Sequence, residues 1–226
     1  MHGWLDNAAS FACLSKHFST CRVIALEFFG HGHSDHRPAG AVYYLWENVL
    51  DLHCALEALD LGMVTLVGHS MGASVAMLYA ASFAQRVERL CLIEGLAPLH
   101  YCESELPALM ANAMKRHLRK RRVTYYDTLD TLIAARAKSK FSLSQEAASA
   151  LVKRGARVAS QGVCWRSDPA LLNPSVQRFS KAQVMHFLAA VNVPVLLILG
   201  DEGIETTHWQ AYYTQLTQLE VHRLKG

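Results

Sequence analysis

The stretch Met63-Val64-Thr65-Leu66-Val67-Gly68-His69-Ser70-Met71-Gly72-Ala73 decides how this chain is read. Residues 63–67 are a short apolar run ending at a glycine, the pattern of a strand buried on both faces. Residues 73–84 are rich in Ala and Met and read as a closely packed helix. Between them, Gly68-x-Ser70-x-Gly72 has the spacing of a sharp strand-to-helix turn that presents a serine hydroxyl. Glycines flank the serine because a Cβ would clash in so tight a turn. The helix start also brings backbone N–H groups and a positive dipole end beside the serine, which favours the oxyanion of an acyl-transfer intermediate. Ser70 is therefore the candidate nucleophile, and the N–H of Met71 the natural first oxyanion donor. The plain alternative is a passive serine in a Gly-flanked turn; the strand before it and the small-residue helix after it favour the catalytic reading.

Working outward, residues 22–28 are apolar and β-branched and predict a buried strand ending in a Gly-rich loop. Leu45, Val49, Leu52, Leu56 and Leu59 lie on one face of an amphipathic helix closed by Gly62. Residues 89–93, 193–199 and 219–224 predict further strands, and residues 205–219 a helix. This alternation predicts an α/β fold, a doubly wound and mostly parallel sheet. Between Leu99 and Val191 the strand signal disappears and the pattern turns helical. Three parts follow: a first core segment (1–98), a helical cap inserted between strands (99–190) and a last core segment (191–226). Ligands of such sheets bind outside the carboxyl ends of the strands, where the insertion would form a roof.

At 226 residues, 51% hydrophobic and 18% charged, the chain has the balance of a globular domain with a sizeable core. A net charge of +3 does not call for a nucleic-acid partner. No apolar run reaches the roughly 18–20 residues that span a bilayer. Residues 1–6 show no basic stretch leading into an apolar one, so a signal peptide is not expected. Six cysteines are scattered without a C-x-x-C pair, which points to reduced thiols and a cytoplasmic setting.

His31, His33 and His36 raise the question of a metal, which would need three or four converging ligands; no metal and no organic cofactor are expected. Residues 115–122 are densely basic, a pattern that attracts acidic substrates, anionic membranes or RNA but more often marks a solvated helix face. Met110, Met114 and Leu118 recur every four residues, as core packing or as an acyl-pocket lining.

Several motifs resemble the alpha/beta-hydrolase superfamily, in particular serine hydrolase-like proteins and related bacterial esterases. His2-Gly3-Trp4-Leu5-Asp6-Asn7 looks like the loop that supplies the second oxyanion donor, and Gly30-His31-Gly32-His33-Ser34 like the G-x-G-x-S loop after the next strand. Gly68-His69-Ser70-Met71-Gly72 matches the elbow. Residues 165–169 and 193–198 look like the end of the cap and the return to the core. The resemblance implies that the N–H of Trp4 is the second oxyanion donor and that His69 is structural. It also implies that the chain is truncated at both ends, lacking the first strands and stopping where the catalytic histidine would soon follow Gly226.

A serine hydroxyl needs a histidine to take its proton and a carboxylate to orient that histidine. The resemblance implies the order Ser, acid, His. The acid has two candidate positions. One is Asp201, in Gly200-Asp201-Glu202-Gly203, where glycine stands at the family's usual acidic position. The other is Glu94, which ends the apolar run Leu92-Ile93, where a carboxylate has little reason to be unless paired; charge placement favours Glu94. The bland roles are a salt bridge for Glu94 and helix capping for Asp201. His208 is expected within a helix and His222 inside the last strand, so no base is assigned. The expectation is a serine hydrolase acting on a carboxylic ester of a small acyl substrate. The rivals are another acyl bond (amide, thioester, carbon–carbon) and a non-catalytic scaffold. A serine nucleophile argues against a dehalogenase or epoxide hydrolase.

Overall fold

The computed structural model describes residues 1–119, 121–139, 141–203 and 209–225. The elements run α1 (Leu45–Ala58), β1 (Val64–His69), α2 (Met71–Ser82), β2 (Val87–Ile93), β3 (His100–Tyr101), α3 (Leu106–His117), α4 (Leu129–Ala137), α5 (Gln145–Gly155), β4 (Ala156–Ala159), β5 (Gly162–Trp165), β6 (Phe179–Ser180), α6 (Lys181–Ala190), β7 (Val195–Gly200), α7 (Trp209–Tyr213) and β8 (Leu219–Leu224).

Four of the strands form one sheet in the order β1-β2-β7-β8, every pair parallel. Leu66 pairs with Leu90, Leu90 with Val195 and Ile198 with His222. The two central strands bury Leu90, Leu92, Leu197 and Leu199 almost completely, each contributing about 2 kcal/mol of transfer free energy. Helix α2 is buried from Gly72 to Ala80. It packs against β1, β2, α1 and α6 at once, and a helix enclosed on all sides is apolar all round. Helix α1 turns Leu52 and Leu56 inward, with Leu45 and Val49 against the same core; Leu59, beyond its end, is exposed.

Residues 22–28 depart from expectation. They form no ladder among the described residues. Composition favours an extended backbone, but a strand exists only where a neighbour takes its N–H and C=O groups. Here the Phe28 N–H donates to His2 Nε2 at 3.2 Å. Beside β1 it is Met1 that pairs: its nitrogen donates to the Val67 carbonyl at 2.7 Å, and its carbonyl accepts from the His69 N–H at 3.0 Å. Within 205–219, helix covers only Trp209–Tyr213 among the described residues, and turns through Gln215 and Leu216 lead into β8. Residues 204–208, His208 included, lie outside the described residues.

The stretch between β2 and β7 holds α3 to α6 but also two small ladders, β3 with β6 and β4 with β5. Runs of two to four residues are too short to show a period in sequence. A second apolar cluster forms here around Leu132, Ile133, Ala148, Val152 and Val163. Met110, Met114 and Leu118 do not pack in a core. They are 43%, 53% and 88% exposed, while Ala113 is the buried residue of α3. The basic run extends beyond the helix, which ends at His117, and Arg121 is tied to the Leu172 carbonyl and Asn173 Oδ1, both at 2.9 Å.

Candidate active site

Ser70 sits between β1 and α2 with φ 49° and ψ −109°, a region that costs an L-residue about 1–3 kcal/mol. The turn closes because both flanking positions are bare. A Cβ on Gly68 would stand 2.4 Å from the Gly72 carbonyl oxygen, and one on Gly72 would stand 2.4 Å from the Met1 oxygen. The Ser70 N–H is held by the Ile93 carbonyl at 2.9 Å, and the Ser70 carbonyl starts α2 by accepting from Ala73 and Ser74. Met71 is the first residue of α2, so its N–H is one of those a helix start leaves unpaired.

The loop at residues 3–7 packs onto this turn. Gly3 lies so near His69 that a Cβ would stand 2.8 Å from Nδ1. The Asp6 N–H donates to the Gly3 carbonyl at 3.1 Å, closing a tight turn in which Leu5 takes φ 64°. No described residue accepts the Trp4 N–H. The loop is fastened to the helical stretch at three points. Trp4 Nε1 donates to the Leu171 carbonyl at 3.2 Å, Arg136 Nη2 to Asp6 Oδ1 at 3.0 Å and Asn7 Nδ2 to the Leu151 carbonyl at 2.9 Å. Asp6 Oδ2 also lies 3.9 Å from His69 Nδ1.

Glu94 follows β2 with φ 48°. Its N–H donates to the Ile198 carbonyl at 3.0 Å, and its carboxylate accepts from the Gly200 N–H at the end of β7. The carboxylate borders a groove of about 400 Å³ lined also by Ile93, Ile198, Gly203, Leu224 and Lys225. Gly95, the next residue, lies against Ser70: a Cβ there would stand 2.9 Å from the Ser70 Cα. Asp201 is on the exposed turn after β7, its N–H donating to the Leu224 carbonyl at 3.0 Å. Glu94 is thus linked to the elbow through its neighbour Gly95, and Asp201 to β8 through the Leu224 carbonyl.

A family profile described as alpha/beta hydrolase fold matches residues 1–219. The chain belongs to the alpha/beta hydrolase fold family. It is similar to a serine hydrolase-like protein of Dictyostelium discoideum, at 27% identity over all of this chain and 66% of that protein. It is also similar to a serine hydrolase-like protein of Danio rerio, at 29% identity over 92% of this chain and 65% of that protein. The chain thus spans about two thirds of the length of these curated relatives. Among solved structures, a hypothetical protein from Pseudomonas aeruginosa superposes with a TM-score of 0.95 at 38% identity, covering all of this chain and 81% of that one. The thioesterase domain from the curacin biosynthetic pathway shares the fold, with a TM-score of 0.88 at 23% identity over all of this chain and 83% of that domain.

The histidines of this alpha/beta hydrolase hold other positions. His2 is fully buried, Nδ1 against the Gly3 carbonyl and Nε2 accepting from Phe28. Burial, aided by nearby His31, lowers its pKa to about 3. Burial also lowers His69, against the opposing pull of Asp6. His31 Nδ1 contacts the Phe29 carbonyl, His36 Nε2 contacts the Arg166 carbonyl, and His33 is exposed, so the three face separate partners. His222 is exposed on β8 beside Glu220. Among the described residues no imidazole hydrogen-bonds the Ser70 hydroxyl. No helix is long and apolar enough to cross a membrane, among the described residues.

Sequence reading missed Glu27. Its carboxylate accepts from the N–H groups of Ala8 (3.0 Å) and His33 (2.9 Å) and from Arg154 Nε (2.6 Å) and Nη2 (3.0 Å). Despite burial, these donors hold its pKa down at about 2. It joins Ala8, which follows the 3–7 loop, to the Gly-rich loop and α5. The signal was available: an acid near the end of an apolar run is the pattern that singled out Glu94.

Proposed function

We propose that this chain is a serine hydrolase that cleaves a small carboxylic ester through an acyl-enzyme on Ser70. The observation that carries the reading is the strained Ser70 backbone at the start of α2, with the Met71 N–H beside it and the residue 3–7 loop packed against it. Ser70 Oγ attacks the ester carbonyl carbon while an imidazole takes its proton, and the N–H groups of Trp4 and Met71 hold the oxyanion. The alcohol leaves with that proton, and water then releases the acid and restores the hydroxyl. Glu94 orients the imidazole, which comes from outside the set the structure places around Ser70; Asp201 is the second candidate acid. His69, packed against Gly3, supports the oxyanion loop. Residues 99–190 act as the cap, tied at three points to that loop. The cysteines, all free among the described residues, fit a reducing, cytoplasmic setting, and no cofactor enters the scheme.

Labelling the full-length protein with a fluorophosphonate tests this. Ser70 labels, and Ser70→Ala abolishes the signal. No labelling in the intact protein would overturn the enzyme reading in favour of a binding scaffold. Turnover of matched ester, thioester and amide substrates then separates the bond classes, since all three share the acyl-enzyme.

A further inference from the structure

We propose that Glu94 and position 203 are two anchors for one carboxylate site, and that Gly203 is a positioning residue whose missing side chain gives Glu94 its place. This deepens the hydrolase reading above and rests on it.

The geometry is direct. A Cβ built on Gly203 would stand 2.3 Å from Glu94 Oε2, 2.4 Å from Oε1 and 2.6 Å from Cδ. No pair of unbonded atoms approaches so closely, so any side chain at 203 evicts the carboxylate. A carboxylate oxygen stands about 2.4 Å from the Cβ that bears it, by ordinary bond lengths and angles. The Glu94 oxygens therefore lie at the distance from position 203 at which an aspartate there would carry its own. Two different backbone points, one after β2 and one after β7, reach the same place. Gly200 flanks the same carboxylate: its N–H donates to Glu94 Oε1, and a Cβ on Gly200 would stand 3.4 Å from that oxygen. The donor belongs to the β7 turn, so it serves a carboxylate from either anchor. The groove of about 400 Å³ beside the carboxylate leaves room for the imidazole it would orient. The φ of 48° at Glu94 is a backbone cost borne at the anchor in use.

The experiment measures Ser70-dependent hydrolysis of p-nitrophenyl acetate by the full-length protein, with melting curves on every variant. Glu94→Ala lowers kcat by about 10³–10⁴-fold with KM little changed. Gly203→Ala alone lowers kcat by about 10²-fold through displacement of the carboxylate. On the Glu94→Ala background Gly203→Ala has no further effect, because the two changes act on one group. Gly203→Asp on that background recovers kcat at least about tenfold, a rescue that a purely structural glycine would not give. Additive losses, or no recovery with aspartate, overturn the proposal. If the unaltered protein shows no Ser70-dependent turnover, the hydrolase reading falls and the catalytic part of this inference falls with it. Melting curves still decide the steric part: Gly203→Ala lowers Tm when Glu94 is present and not when it is alanine. Equal effects on both backgrounds refute a shared site.

Discussion

Replacing Glu27 with glutamine tests whether one carboxylate joins three segments around the candidate site. Its pKa falls from 4.5 to about 2 in the folded chain, which corresponds to about 3 kcal/mol at about 1.4 kcal/mol per pH unit. Arg154, its charged partner, is 43% exposed, so solvent screening reduces the expected contribution to about 2 kcal/mol. A depressed carboxylate pKa means that the stabilisation is complete above pH 4.5. It is lost as pH falls from there toward 2, because the unfolded chain binds the proton first. Glu27→Gln should therefore lose about 2 kcal/mol at pH 7 and less than half of that at pH 3. Urea unfolding at the two pH values gives both numbers. A variant as stable as the parent at pH 7, or a deficit equally large at pH 3, would refute the assignment of this energy to the charged carboxylate.

Three other outcomes are expected. Ser70→Gly relieves the left-handed backbone, and Ser70 makes no side-chain cap bond that would be lost; Tm should rise by about 2–4 °C while labelling disappears, and an unchanged or lower Tm would count against strain at the elbow. His2 is held neutral down to about pH 3, whereas the unfolded imidazole takes a proton below about 6.5. Stability should thus decline by about 2 kcal/mol between pH 7 and pH 5, a slope that His2→Asn removes and that a pH titration of urea midpoints would expose. Asn7→Ala gives up the bond to the Leu151 carbonyl and the one from the Ala9 N–H, at a cost of about 1–3 kcal/mol for a buried amide; calorimetry showing no loss would place that energy elsewhere.

The central strands were legible because parallel strands buried on both faces read as unbroken apolar runs. Leu66 and Val67, residues 90–93 and residues 195–199 follow that rule, while the polar Thr65, Glu88 and Arg89 lie toward the starts of their strands. Residues 22–28 have the same composition, yet composition does not supply a ladder partner, and their N–H at Phe28 ends on an imidazole. The elbow was readable because its glycines, serine and helix start are consecutive. That the carboxylate at Glu94 would have a partner was readable from charge placement, and the same logic applies to Glu27. Asp6, Asn7 and Arg136 were not. Their bonds join residues 130 and 144 positions apart, and nothing local in the sequence encodes such a contact. The positive φ of Leu5 leaves no trace either, since leucine is not a residue whose presence advertises a left-handed turn.

The three fastenings between residues 4–7 and the helical stretch bear on how this scaffold can be re-engineered. Replacing residues 99–190, the proposed cap, with a foreign segment treats that roof as an interchangeable part. In this chain the Leu171 and Leu151 carbonyls and the Arg136 guanidinium hold the loop carrying the Trp4 N–H. A transplant that omits those acceptors and that cation would release the loop as well as exchange the roof. A chimera that keeps this loop in place must therefore carry over the equivalents of these three contacts.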